Sequence, residues 1–113
     1  MNLLEQIVTN IVRPTRDQYH ISRLGHSFFT IFIASQQQSF PVTRYDHQLI
    51  NKSNQNIEVS YYANTAAEPD SCVVYLHANN GSRVEGLQYL NGLLNAKFNV
   101  CLFDCSGSGL SGG

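Results

Sequence analysis

Hydrophobic positions set the first expectations. Leu3, Leu4, Ile7, Val8, Ile11 and Val12 recur at intervals of three and four, which predicts a helix with one apolar face, ended by Pro14. It lacks the basic face of an interfacial helix, so packing against its own domain is the expectation. Residues 13–40 read as an irregular lead-in with one short strand candidate, Phe28 to Ile33. Val42, Tyr45, His47, Leu49 and Ile50 then alternate loosely. After the polar turn Asn51 to Asn56, Ile57, Val59 and Tyr61 alternate against Glu58, Ser60 and Tyr62. This pattern predicts an antiparallel hairpin with a loop longer than two residues. Asn64 to Asp70 is a polar connection, and its Pro69 fits a strand interior poorly.

From Ser71 onward the pattern changes. Ser71 to Leu76 and Phe98 to Phe103 are apolar throughout, the signature of parallel strands covered on both faces. Between them, Ser82 followed by Glu85 predicts a capping box opening a helix over 83–96. Val84, Leu87, Leu90, Leu93 and Leu94 cover one side of that helix, and Glu85, Gln88, Asn91 and Asn95 cover the other. Gly86 and Gly92 each weaken it by up to ~1 kcal/mol relative to alanine, a cost suited to close approach to a sheet. The expectation is a parallel βαβ unit, with chemistry at the carboxyl ends of its strands.

Composition narrows the partners. The chain has 113 residues, 13% of them charged, and a net charge of −1. Nothing in this balance implies a nucleic acid or an anionic membrane. No apolar run approaches the ~20 residues of a membrane helix, and the N-terminus lacks the basic region of a signal peptide. Cys72, Cys101 and Cys105 form no C-x-x-C pair and no zinc-ligand spacing. They read as small apolar residues, with Cys72 and Cys101 buried in strands, in a reducing, cytoplasmic setting. No cofactor and no metal are expected.

Each predicted strand ends in polar turn chemistry. The first ends in Leu76-His77-Ala78-Asn79-Asn80-Gly81-Ser82-Arg83, and the second in Phe103-Asp104-Cys105-Ser106-Gly107-Ser108-Gly109-Leu110-Ser111. In these segments the chain resembles the α/β-hydrolase superfamily, closest to serine aminopeptidase-like and acyl-ester hydrolase members. There a strand ending in H-G-x-x-G is followed by a helix and a strand ending in D-x-x-G-x-G-x-S. The likeness covers residues 71–113 and extends more loosely back to about 41. The lead-in Arg13 to Tyr19 also looks like a segment that precedes the core in some members. The resemblance implies an α/β fold: the N-terminal part of an α/β-hydrolase domain at 41–113, preceded by a helix and lead-in at 1–40. It implies hydrolysis of a small-molecule ester or amide by acyl transfer, with a Ser–His–acid triad assigned to none of these residues. By position it makes the Asn79 backbone N–H an oxyanion-hole donor, with His77 and Gly81 as turn residues. Where the family has glycine after the histidine, this chain has Ala78, which would be strained if the position required positive φ.

Two further patterns lie in the tail. Gly109-Leu110-Ser111-Gly112-Gly113 matches the G-x-S-x-G nucleophile elbow, but no fresh strand directly precedes it, so Ser111 reads as a turn or cap residue. Gly107 to Gly112 matches G-x-G-x-x-G, yet Asp104, Cys105 and Ser106 intervene after the strand. A dinucleotide-binding module and a non-catalytic binding domain on a hydrolase scaffold therefore stand as alternatives to a serine hydrolase fragment.

Overall fold

The computed structural model describes residues 2–5, 16–64, 71–78 and 80–113. Residues 3–5 are helical, and Asn2 caps them by accepting the Glu5 N–H at 2.8 Å. The remainder of the predicted N-terminal helix lies outside the described residues.

Among the described residues, five strands form one mixed sheet: β1 (Phe28–Ile33), β2 (Gln38–Ile50), β3 (Asn56–Ala63), β4 (Cys72–Tyr75) and β5 (Asn99–Phe103). Their spatial order is β1-β2-β3-β5-β4. β1 with β2, β2 with β3, and β3 with β5 run antiparallel, and β4 with β5 runs parallel. Between β2 and β3 the Asn51 carboxamide oxygen accepts the Ser53 and Gln55 N–H groups, and Asn54 takes a left-handed φ of 59°. Such side-chain bonding is how asparagine stabilises a turn.

The β1–β2 connection departs from the sequence reading. Ala34–Gln36 forms one 3-10 turn, and Gln37 closes it at φ 48°. β2 therefore begins at Gln38, and Pro41 sits opposite Thr30 in the part of β2 paired with β1 alone. The missing proline N–H is tolerated where a strand has only one neighbour.

The segment between β4 and β5 also differs from one continuous helix. Arg83–Gly86 is a 3-10 turn, and the α-helix α1 spans Leu87–Asn95. Ser82 caps the 3-10 turn, its Oγ accepting the Val84 N–H at 3.2 Å, and α1 itself has no side-chain cap. The reciprocal half of the capping box is replaced, because the Glu85 carboxylate instead accepts the Tyr75 hydroxyl at 2.6 Å and the Ala78 N–H at 3.0 Å. Gly86 is required by packing: a Cβ there would lie 2.6 Å from Leu102 Cδ2. Gly92 faces open space, so close approach does not explain it.

One face of the sheet carries the core. Leu90 and Leu94 of α1 pack on Ile31, Phe40, Tyr62, Val100 and Leu102, with Ile33 and Val42 completing the cluster. Burying a side chain of this size stabilises by about 1.5–3 kcal/mol. The other face is open toward its β4 edge, where Val74 is 57% and Leu76 70% exposed. Two-sided cover of 72–76 is therefore not found. The reason is topological: β4 is the outer strand of the sheet, and α1 lies on the opposite face. Cys72 is exposed and Cys101 half-buried, rather than both buried.

Candidate functional site

Because β4 and β5 are parallel, the turns that follow them emerge at the same edge of the sheet. His77 joins these turns. Its Nε2 accepts the Cys105 N–H at 2.9 Å, which assigns the ring proton to Nδ1, donated to the Ala78 carbonyl at 2.7 Å. Both ring nitrogens are thus occupied by the backbone. Ala78 does not adopt left-handed φ, so alanine carries no strain at this position. The Gly81 N–H returns to the Ala78 carbonyl at 2.9 Å, closing the first turn. Asn79 lies outside the described residues.

Glu85 braces the first turn from the 3-10 segment. The bond from Tyr75, with that from the Ala78 N–H, holds its carboxyl below the usual carboxylate range. The same hydrogen bond to Glu85 pushes the Tyr75 phenol up to about 12.

Asp104 organises the second turn. It is fully buried and accepts the Arg83 N–H at 2.7 Å, the Leu110 N–H at 3.0 Å and the Tyr19 hydroxyl at 2.6 Å. The Arg83 guanidinium, also buried, lies 3.6 Å from the carboxylate and donates through Nε to the Tyr19 oxygen. Burial first, and the bond to Asp104 second, push the Tyr19 phenol above its ordinary value. Arg83 further donates to Ser60 Oγ at 3.2 Å, and Ser60 donates to Asp46 at 2.6 Å, which pairs with Arg44 at 3.1 Å. A buried cation among donors to a carboxylate satisfies the requirement that interior charge be paired and hydrogen-bonded.

The glycine-rich segment folds around this carboxylate. Gly109 has a φ of 50°, and a Cβ there would stand 2.4 Å from the Asp104 carboxyl carbon. Only glycine fits both the conformation and the space. Ser111 is 1% exposed; its Oγ donates to the Asp104 carbonyl at 2.7 Å and accepts the Glu58 N–H at 2.8 Å. A nucleophilic serine needs a free hydroxyl beside a base, and His77 makes no contact with this one. The amides a dinucleotide phosphate would use are also engaged: Gly107 with Gly112, Ser108 with Cys105, Ser111 with Ser108, Gly112 with Asn56, and Leu110 with Asp104.

All three thiols are shifted upward, by burial first, so none is a ready thiolate. Among the described residues no group of three His, Cys, Asp or Glu side chains could hold a metal, and no helix is long and apolar enough to cross a membrane. Sequence reasoning placed Asp104 at a strand end but missed its partners Tyr19 and Arg83, and Ser60 behind Arg83. One signal was present for Arg83: a cation in the first turn of a helix opposes the helix dipole and calls for a carboxylate nearby.

A mixed sheet whose parallel pair carries the joined turns is consistent with a hydrolase fold. Among solved structures, the chain is similar to the Pyrococcus furiosus esterase Pf2001. In space group P212121 the match has a TM-score of 0.54 at 25% identity, covering 62% of this chain and 27% of the esterase chain. In space group P21 the values are 0.52 and 24%, with 62% and 28% covered. In space group C2221 the TM-score is 0.59 at 21% identity, with 89% and 33% covered. The chain thus spans about a third or less of the esterase's length. No family model matches the chain, and no curated protein matches it.

Proposed function

We propose that these residues form the N-terminal part of a serine hydrolase of the α/β-hydrolase superfamily, an antiparallel hairpin leading into a parallel βαβ unit. The sequence resemblance supports a serine aminopeptidase-like or acyl-ester hydrolase member. The observation that carries this reading is the pair of turns joined at the carboxyl ends of β4 and β5, where α/β sheets place their chemistry. The fold likeness to an esterase supports it.

The chemistry is acyl transfer to a small-molecule ester or amide. The tetrahedral intermediate gathers negative charge on oxygen, which preorganised N–H groups stabilise. The resemblance makes the Asn79 N–H such a donor; the Ala78 and Gly81 amides beside it are bonded within the protein. His77 and Gly81 shape the turn. Serine, acid and catalytic histidine are assigned to none of residues 1–113, and no cofactor is invoked. The three free thiols support a reducing, cytoplasmic setting.

The test uses the longest native form of the protein, with p-nitrophenyl butyrate as substrate and a fluorophosphonate probe. Ester hydrolysis with one labelled serine other than Ser111 is expected. An adduct on Ser111, or neither hydrolysis nor label, overturns the reading.

A further inference from the structure

We propose that Arg16 to Tyr19 is a strap that fixes the two strand-end turns relative to each other. The strap lies outside both turns in sequence yet bonds to each. Toward the first, Asp17 Oδ2 accepts the Ser82 hydroxyl at 2.8 Å, and the Tyr19 oxygen accepts from Arg83 Nε. Toward the second, Tyr19 donates to Asp104 at 2.6 Å, and Arg16 donates to the Ser111 carbonyl at 2.7 Å and the Gly113 carbonyl at 2.8 Å. The strap's own exit is anchored, because His20 caps the 3-10 turn Ile21–Leu24 and Leu24 is buried.

These contacts are directional and mostly involve charged groups, so they set position as well as adhesion. His77 and Asp104 alone would hold the turns at their roots. Arg16 grips the far side of the glycine-rich turn, and that turn grips the sheet: Glu58 donates to Ser111 Oγ at 2.8 Å, and Gly112 donates to the Asn56 carbonyl at 2.7 Å. The strap is a positioning element, and this role does not depend on which reaction the turns serve.

Arg16→Met keeps the aliphatic stem and removes both donors. Amide hydrogen exchange, resolved by residue, distinguishes positioning from general stability. With the strap cut, the Leu110, Gly112 and Glu58 amides should exchange about tenfold faster or more. Those of Tyr62, Val100 and Leu102, in the sheet, should be unchanged. Equal acceleration in turns and sheet, loss of the fold, no change anywhere, or no protection of the turn amides in the unsubstituted protein each overturns the proposal.

Discussion

Asp104→Asn isolates the charge at the centre of the site while preserving its shape. The carboxylate serves three donors: Oδ1 takes the Arg83 N–H, and Oδ2 takes the Leu110 N–H and the Tyr19 hydroxyl. A carboxamide offers one acceptor oxygen. With oxygen at either position, a backbone N–H faces an NH2 group, and the donor so stranded costs about 1–3 kcal/mol. The Arg83 guanidinium also loses its carboxylate while remaining 1% exposed. Breaking a buried pair from one side costs about 3–5 kcal/mol. These losses overlap, so about 4 kcal/mol is expected, a large part of the ~5–15 kcal/mol that holds an ordinary domain. Urea unfolding at neutral pH measures it. A double-mutant cycle with Arg83→Met should show coupling of about 1–3 kcal/mol, because removing the cation relieves part of the damage. A loss below ~1 kcal/mol, or additive effects, would refute the view that Asp104 holds the site by charge.

Two further outcomes are expected. Gly92→Ala should stabilise α1 by up to ~1 kcal/mol, whereas Gly86→Ala should destabilise, its Cβ meeting Leu102 at 2.6 Å; equal effects in thermal unfolding would contradict the packing described. Glu85 has a depressed folded value, so its contribution is present above its unfolded pKa of about 4.3 and is lost as pH falls through the folded value. Tyr75 is raised, so its contribution is present below about 10 and is lost as pH rises through about 12. The Tm gap between the native protein and Glu85→Gln should therefore narrow from pH 7 toward pH 3, and a constant gap would exclude this role.

Elements governed by local chemistry were legible in the sequence. The run Phe28 to Ile33 marks β1, and Phe98 to Phe103 brackets β5. Ser82 announced a helix start, and the glycine-rich tail a turn. Features that depend on distant partners were not legible. Gln37 turns the chain without being glycine or asparagine, so the β1–β2 connection carried no conventional turn signal. Glu85 suits a capping box by spacing, but Tyr75 and Ala78 outcompete the helix N-terminus for its carboxylate. The apolar run at 72–76 reads as doubly covered, yet what it reports is residue type, not where the strand sits in the sheet. Tyr19 meets Asp104 across 85 residues, a pairing with no local signature.

That separation has a consequence for the timing of synthesis. Arg16 reaches its two carbonyls across 95 and 97 residues, so the segment that ties the turns is made long before the turns exist. At about 5–20 residues per second on the ribosome, Tyr19 waits roughly 5–20 s for Asp104. During that interval β1, β2 and β3 can already pair, since their contacts lie close along the chain. The parallel pair and the buried charges must then assemble onto a hairpin structure that is already in place.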